Sequence, residues 1–451
     1  MKDIRNKILG SVDKLFERKQ FKSLKELLIT MEPADIAEIL SEKNSTERVF
    51  IFRLLPKDLA IEVFEFLEGT IREELLASFT DSEAASIIED MSDDDRTALF
   101  DELPAKTVKK LLARLSPEER RLANTLLNYP PDSAGHIMTP EFVDLKEDMS
   151  SSEALARIRQ SAAKKETIYT LFVVDPARKL MGTVHLEDLI LASVDVAVKD
   201  LMDALPVFVS TDTDQEEAAK TMSKYDLQTI PVVDREHRLV GILTFDDILD
   251  IVQDEATEDF ERMAGISPVD ESYMEAGVFT LTRKRFTWLL VCIVTQVFSS
   301  SILENYSFAL ESVVALAFFI PLLIDTGGNT GTQSATLVIR GLTTGEIERE
   351  DIYRVLSKEL VLGLFLGGAL GILASFRAWI MGTGYGLAMT VAVSVVGVVM
   401  LGNLVGALMP FIAQKFRIDP AVMSGPFITT VVDVIGLLIY FEVARCFLGL
   451  G

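Results

Sequence analysis

Cysteine and histidine are scarce in this chain of 451 residues, which has two of the first and three of the second. Both cysteines, Cys292 and Cys446, lie in apolar runs, so we expect neither a disulfide framework nor a thiolate metal site. The histidines, His136, His185 and His237, are far apart in the sequence, which argues against a zinc site. No nucleophile with an adjacent base and no phosphate loop is recognisable, so we do not expect an enzyme.

Basic residues are also few: 44 lysines and arginines stand against 68 aspartates and glutamates, for a net charge of -24. A nucleic-acid-binding surface needs an excess of positive charge, so nucleic acid is not an expected partner. Mean hydropathy is nevertheless positive, at +0.29, so the charge must be segregated from the apolar residues. Residues 286–451 carry 8 basic and 11 acidic residues, and residues 1–285 carry 36 and 57. This division predicts a long acidic soluble region followed by a membrane region.

The first part of the chain, residues 1–131, has a helical repeat. An apolar residue recurs every twelve positions from Leu55 to Leu115, and most of these residues precede a Ser, Thr, Asp or Pro that favours the start of a helix. We therefore expect short stacked helices that form a small acidic superhelix. The run 93–95, three aspartates, is typical of a solvated helix start and is also a candidate cation site.

An internal repeat with a constant offset of 59 residues follows. The stretch from Leu171 to Asp188 matches the stretch from Ile230 to Asp247, and each predicts two β-strands between helices. This pattern resembles a pair of CBS domains, which we place at residues 132–196 and 197–253. The resemblance implies an adenine-nucleotide site, possible residues for ATP being Tyr169, Asp188 and Thr244; alternatively, the pair only senses or scaffolds.

A strongly acidic helix is predicted to connect the repeats to the membrane region, over residues 246–270. Its acids follow one another at spacings of three and four, as from Asp247 to Asp250 and from Asp254 to Glu258, and form one stripe. A solvated acidic helix explains this pattern, and so does a helix that binds hydrated divalent cations, since Mg2+ keeps several waters and needs few carboxylates.

Five apolar stretches within residues 271–451 predict membrane helices, at about 286–303, 312–339, 355–376, 386–412 and 425–448. Basic residues precede the first stretch and lie between the second and third and between the fourth and fifth. This distribution predicts a cytoplasmic location for the soluble region and, with five spans, a C-terminus outside the cell membrane.

Polar residues interrupt two of these stretches. In the second, Pro321 and several glycines predict irregular backbone over residues 321–333, where Asp325, Asn329 and Gln333 are candidate pore-lining residues. In the fifth, Asp433 costs at least about 2.5 kcal/mol in hydrocarbon, so it favours an ion path over lipid. We predict that it lines a cation pore with Thr429 and Thr430; the alternative is a polar contact between helices.

The order of these parts, together with Pro-x-x-x-Asp-x-Gly-Gly-Asn-x-Gly-x-Gln from Pro321 and Pro-Phe-Ile-Thr-Thr-x-x-Asp from Pro426, resembles the MgtE family of magnesium channels over essentially the whole chain. The resemblance implies a multidomain protein with an all-α superhelical N-terminal domain, an α/β CBS-domain pair and an α-helical transmembrane domain with five spans. It also implies a homodimer in membrane lipid, with Asp433 as the pore carboxylate. The regulatory Mg2+ residues it implies are Glu62, Asp94, Asp95, Asp214, Glu216, Asp226, Asp247, Asp250, Glu255, Glu258, Asp259 and Asp419.

We therefore expect a Mg2+ channel of the cytoplasmic membrane that closes when intracellular Mg2+ binds its acidic soluble domains. Two alternatives remain open at this point. One is a membrane-anchored sensor of divalent cations that does not conduct, and the other is a carrier of another divalent cation that the CBS pair regulates.

Overall fold

The computed structural model describes residues 2–162, 165–269, 273, 274, 276–423 and 425–450. The chain divides into two compact units, residues 1–252 and 253–451, and each is considered by itself below. The predicted boundary between connecting helix and membrane region, at residues 270 and 271, lies outside the described residues.

The first unit begins with short helices, as the twelve-residue repeat predicts. Leu55, Leu67 and Leu103 lie between successive helices and are buried in a shared apolar core. Thr80 begins one helix with a reciprocal cap to Glu83, a favourable way of satisfying the free N–H groups there. The helices are α1 Lys2–Glu17, α2 Phe21–Leu28, α3 Pro33–Ser41, α4 Ser45–Phe52, α5 Lys57–Glu65, α6 Gly69–Ser78, α7 Asp81–Asp90, α8 Asp93–Glu102, α9 Ala105–Leu112 and α10 Pro117–Leu126.

Two α/β repeats follow the short helix α11 Ala134–Ile137. In each, a central strand pairs with one parallel and one antiparallel neighbour, and corresponding strands lie 59 residues apart, as the sequence repeat predicts. The elements of the first repeat are β1 Asp144–Leu145, α12 Ser151–Ser161, β2 Thr170–Val174, β3 Leu180–His185 and α13 Leu186–Leu191. Those of the second are β4 Val209–Ser210, α14 Gln215–Lys224, β5 Thr229–Val233, β6 Leu239–Thr244 and α15 Phe245–Met263.

The two repeats exchange their leading segments. Thr139, which precedes the first repeat, exchanges backbone hydrogen bonds with Ile242 of β6, at 2.8 and 2.9 Å. Asp203, which precedes the second, does the same with Thr183 of β3. Met138 accordingly lies in the core of the second repeat rather than the first. This exchange ties the two repeats together.

The second unit contains five helices that are long and apolar enough to cross a membrane, within its described residues. This number confirms the sequence prediction, although several helices extend beyond the predicted ends. The elements are α16 Val278–Asn305, α17 Ser307–Ser312, α18 Ile320–Thr343, α19 Ile352–Ile380, α20 Tyr385–Lys415 and α21 Gly425–Leu448, with 3-10 turns at Val314–Phe319, Arg349–Asp351 and Pro420–Val422.

The prediction of irregular backbone over residues 321–333 is wrong. Helix α18 continues through this stretch, because Pro321 occupies its first turn, where a missing N–H costs no hydrogen bond. The irregular segment lies just before it, in the 3-10 turn Val314–Phe319.

The glycines of α18 serve close packing against α20. A Cβ atom on Gly402 would lie 2.5 Å from the carbonyl oxygen of Gly327, and one on Gly406 would overlap that of Gly331. Such contact between backbones is possible only without side chains, so these glycines fix the position of α18. They therefore also fix the polar residues that α18 carries.

Candidate functional site

Asp433 lies in the middle of α21 and is half-buried. Its oxygen Oδ1 is buried and has no hydrogen-bond partner among the described residues. The predicted contact between helices therefore does not account for this carboxylate within one chain. An acid in this position needs water, a cation or a second chain to stabilise its charge.

A polar stripe follows the exposed side of α18. Its members are four residues apart, so they share one face of the helix: Asp325, Asn329 and Gln333. All three are exposed in the single chain, although α18 is otherwise apolar enough to span a membrane. Amide and carboxylate groups are unfavourable against lipid, so this face must meet water or another protein surface.

Helix α18 and helix α21 run antiparallel with their polar residues at matching levels. A Cβ atom on Gly328 would lie 2.9 Å from the methyl group of Thr429, and one on Gly327 would lie 2.9 Å from Val432. These contacts place Asn329 level with Thr429. One turn further, they place Asp325 level with Asp433, so two acids lie at the same depth.

The two predicted threonines differ in their exposure. Thr429 is half-buried, whereas Thr430 is only 7% exposed. Both hydroxyls donate to the carbonyl oxygen of Pro426, at 2.9 and 2.7 Å, as hydroxyls in membrane helices often do. The prediction that Thr430 offers its hydroxyl to a pore is therefore wrong for this structure, since that hydroxyl is buried and already bonded.

In the first unit, the three aspartates that begin α8 have different surroundings. Asp93 pairs with Arg96, which is fully buried and also contacts Glu119 at 2.8 Å. Asp95 accepts a hydrogen bond of 2.7 Å from the Ser92 hydroxyl. Asp94 is the exception, because its buried Oδ1 has no hydrogen-bond partner among the described residues.

Asp94 belongs to a group of acids that we name the acidic interface. Its members come from the superhelix, the first repeat and the start of α15, and each lies close enough to others to affect their titration. They are Glu65, Asp94, Asp95, Glu166, Asp246 and Asp247.

The acidic interface stabilises protonated carboxyl groups. Loss of solvent raises the pKa of Glu65 to about 7, and the neighbouring Asp95 adds to this rise. Loss of solvent and the charges of Asp247 and Asp246 likewise raise the pKa of Glu166 to about 7. Burial and the same Asp247 charge raise the pKa of Asp94 well above its usual value. At neutral pH this arrangement is unfavourable unless a cation accompanies it.

Thr244 belongs beside this interface rather than beside a nucleotide. Its hydroxyl donates to Asp247, and burial raises the pKa of that aspartate to about 6 although the hydroxyl opposes the shift. Of the other predicted residues here, Asp250 and Glu62 are exposed; the charge of Asp250 acts on Asp95 and that of Glu62 on Glu65.

The remaining predicted regulatory acids are dispersed. Asp214 caps α14 by accepting from the N–H of Glu216, and Glu216 pairs with Lys220 at 2.7 Å. In the second unit, Arg262 pairs with both Glu258 and Asp419, while Glu255 and Asp259 lie on the same helix. Among the described residues, no three Asp, Glu, His or Cys side chains converge to hold a metal directly. Any cation bound by these acids would retain much of its water.

A cavity of about 680 Å3 lies between the two α/β repeats. Tyr169 and Tyr225 lie at its edge, and Glu187, Asp203 and Asp226 line it. Of the predicted nucleotide residues, Tyr169 lines this cavity, whereas Asp188 and Thr244 are not part of its lining. Its aromatic groups suit a base, and its acids oppose free phosphate.

Sequence reasoning did not identify Glu65 or Glu166 as part of the acidic interface, or Arg262 as the partner of Asp419. Glu65 ends an ordinary amphipathic helix, and Glu166 follows Lys165 in a loop. Arg262 had a signal, because it is the single base in the acidic run 246–262.

Comparisons with known proteins agree with this architecture. Family models match residues 31–132 (MgtE intracellular N domain), 134–195 and 198–254 (CBS domain) and 320–443 (MgtE, divalent cation transporter). The magnesium transporter MgtE of Thermus thermophilus is 40% identical over 98% of this chain and 99% of its own length. That of Bacillus subtilis is 32% identical over 95% of both chains.

Two solved structures resemble the soluble part of the chain. One is the cytosolic domain of the Mg2+ channel MgtE in complex with ATP, with a TM-score of 0.52 and 35% identity. It covers 54% of this chain and 99% of that one. The other is the soluble part of a magnesium transporter, with a TM-score of 0.53 and 28% identity over 56% of this chain and 99% of that one.

Proposed function

The chain belongs to the MgtE family of magnesium transporters, and we propose that it is a Mg2+-selective channel that imports Mg2+ and closes when intracellular Mg2+ binds its acidic domains. Mg2+ is thus the transported ion and also the regulator. The observation that carries the proposal is the polar stripe of α18, exposed on a membrane helix and level with Asp433 of α21.

The stripe supports a pore formed by two copies of the chain. A single chain leaves Asp325, Asn329 and Gln333 exposed, where lipid would be unfavourable. A second copy related by a two-fold axis would enclose these residues in a shared water-filled path, the usual symmetry of a homodimer. Asp433 would then supply one carboxylate from each copy, and a pair of acids suits a hydrated divalent cation better than an anion.

The acidic interface supports closure by Mg2+. Its acids are unfavourable together at neutral pH, as their raised pKa values indicate. Hydrated Mg2+ would remove that repulsion and favour the compact arrangement of the first unit. Mg2+ can shift the gate only by its difference in affinity between the compact and open forms. An interface that lacks a counter-ion provides such a difference.

Charge distribution supports the orientation. Arg283, Lys284 and Arg285 precede or begin the first span, and Lys415 and Arg417 end the fourth. Positive residues favour the cytoplasmic side, which would place the soluble unit inside and the C-terminus outside. Transport into the cell, with sensing of Mg2+ inside, is negative feedback by the transported ion.

We also propose that the cavity between the repeats binds ATP as its magnesium complex. Tyr169 and Tyr225 offer aromatic surfaces for adenine, while Glu187 and Asp226 disfavour unneutralised phosphates. Calorimetry of the full-length protein with ATP, in the presence and absence of Mg2+, tests this proposal. Binding that requires Mg2+ is expected, and its absence under both conditions would contradict the proposal.

The pore assignment is tested by replacing Asp433 with alanine. Flux of Mg2+ into proteoliposomes should be abolished, while binding of Mg2+ by the soluble domains should be retained. The non-conducting sensor predicts no flux for the unaltered protein either. Undiminished flux in Asp433→Ala would mean that another residue forms the selective site.

A further inference from the structure

Ser299 is the one residue of α16 that is buried, among the side chains the structure describes in that helix. It is 3% exposed, and its hydroxyl oxygen has no hydrogen-bond partner within the described chain. Its neighbours behave differently, because Ser300 and Ser301 donate to carbonyl oxygens one turn earlier, at 3.3 and 3.0 Å. Donation to the preceding turn is usual for serine in a membrane helix. The Ser299 hydroxyl is therefore available for another group.

Helix α16 presents the Ser299 side to α21. Cys292 and Tyr306 lie seven residues before and after Ser299, so the three share one face. The Cys292 thiol lies 3.9 Å from the Pro426 carbonyl oxygen, and the Tyr306 ring stacks on Phe441 with centroids 4.7 Å apart. Both contacted residues belong to α21.

These two contacts fix the alignment of the helices. Each joins residues 134 or 135 positions apart, so α16 and α21 run parallel with a constant offset. The same offset places Ser299 level with Asp433 and Val434. Oδ1 of Asp433 is likewise buried without a hydrogen-bond partner in the described residues. Two buried polar atoms that lack partners thus lie at one depth along adjacent helices.

Buried polar groups that lack protein partners are commonly bridged by an ordered water. We propose that Ser299 is a positioning residue for the pore carboxylate: its hydroxyl donates to one water molecule, which donates in turn to Oδ1 of Asp433. This chain of bonds fixes the carboxylate so that Oδ2 faces the ion path. The inference rests on the proposed function, because it assigns to Asp433 the pore role argued above.

A fixed carboxylate matters because hydrated Mg2+ binds through its water shell, whose geometry demands correctly oriented acceptors. Residues that orient a ligand from behind commonly change affinity by about tenfold or more when removed. A residue that served only packing would change stability without changing the concentration dependence of flux.

The first test compares Ser299→Ala with Ser300→Ala in proteoliposomes. Ser300 is the matched control, since its hydroxyl is already bonded within its own helix. We expect Ser299→Ala to raise by about tenfold the external Mg2+ concentration that gives half-maximal flux. Inhibition by Mg2+ on the soluble side should be unchanged, and Ser299→Thr should restore most of the affinity. Identical flux curves for Ser299→Ala and Ser300→Ala would overturn the inference.

The second test needs no loss of function. In Ser299→Cys, the introduced thiol and Asp433 should bind Cd2+ together, because thiolate is a soft ligand, and Cd2+ should block Mg2+ flux. Ser300→Cys retains the native Cys292 and Cys446 and should not be blocked. Equal block, or no block, in the two variants would contradict the shared position of Ser299 and Asp433.

A parallel measurement on Asp433→Ala separates the two proposals. If Asp433→Ala is inactive but Ser299→Ala behaves like Ser300→Ala, the inference fails and the pore assignment stands. If Asp433→Ala conducts like the unaltered protein, the pore assignment fails and the role of Ser299 fails with it.

Discussion

The guanidinium group of Arg262 pairs with the carboxylate of Asp419, 157 positions later in the chain. Arg262 also pairs with Glu258, one turn earlier on α15. It therefore joins the end of the acidic helix to the segment that leads into α21, the helix that carries Asp433. A cation built into the chain occupies the position between two acids that the family resemblance assigns to regulatory Mg2+.

Replacing Arg262 with glutamine should weaken closure at low Mg2+. The pairing holds the end of α15 against the Asp419 segment without Mg2+, and each side chain is about one-third exposed, so the contact is worth no more than about 1 kcal/mol. The Mg2+ concentration that half-inhibits flux should rise by up to about fivefold. Arg262→Lys, which keeps the charge, should retain most of the inhibition. An inhibition curve unchanged in Arg262→Gln would show that this pair has no part in gating.

Neutralising the acids of α15 should separate gating from conduction. The variant replaces Asp247, Asp250, Glu255, Glu258 and Asp259 by their amides. We expect flux at low Mg2+ to persist and inhibition by soluble-side Mg2+ to be largely lost, because the acid pairs that require a cation are gone.

The control for that variant is an equal change of charge at five exposed acids of the superhelix, which are Glu17, Glu26, Glu32, Asp35 and Glu118. Radiotracer or fluorescence flux measured over a range of soluble-side Mg2+ compares the two. Inhibition that is equally strong in both variants would contradict the sensor model.

Protons should partly replace Mg2+ at the acidic interface. The pKa values of Glu65 and Glu166 are raised to about 7, so the compact arrangement is favoured below that pH and loses this stabilisation as pH rises through it. Without soluble-side Mg2+, flux should therefore be lower at a soluble-side pH of about 6 than at about 8.

Glu65→Gln should flatten this pH dependence, since the amide does not titrate. Flux recorded at fixed external pH, while only the soluble-side pH varies, isolates the effect from any titration in the pore. A steeper dependence in the variant, or lower flux at the higher pH, would oppose the proposed sign.

The contact between α18 and α20 should tolerate no side chain at Gly402. A Cβ there would lie 2.5 Å from the Gly327 carbonyl oxygen, and the helices would have to separate. Overpacking of this kind costs about 1 to 3 kcal/mol, so Gly402→Val should lower the melting temperature of the solubilised protein. Gly368→Val is the control, because a Cβ on Gly368 meets no atom within 4 Å. Equal melting temperatures would mean that α18 and α20 pack differently.

Sequence periodicity was sufficient for the main architecture because it reflects local rules. The twelve-residue recurrence from Leu55 records the burial of one apolar residue between successive short helices. The offset of 59 residues records two copies of one α/β unit. Apolar length likewise identified five membrane helices, since backbone polar groups in lipid must bond within their own helix.

Contacts between distant residues were not accessible from such patterns. Glycine-rich residues 321–333 suggested a broken helix, yet α18 is continuous because Gly327 and Gly331 pack on the backbone of α20. The partnership of Glu65 with Asp95 depends on helices brought together by the superhelix. Ser299 is distinguished from Ser300 and Ser301 only by the helix that it faces.

The most direct test of the account is Mg2+ flux into proteoliposomes that hold the full-length protein, measured with and without millimolar Mg2+ on the side of the soluble domains. The account predicts flux that is substantial without this Mg2+ and falls as it rises. Absence of flux under both conditions would contradict conduction and favour a sensor, and flux indifferent to soluble-side Mg2+ would contradict the proposed feedback.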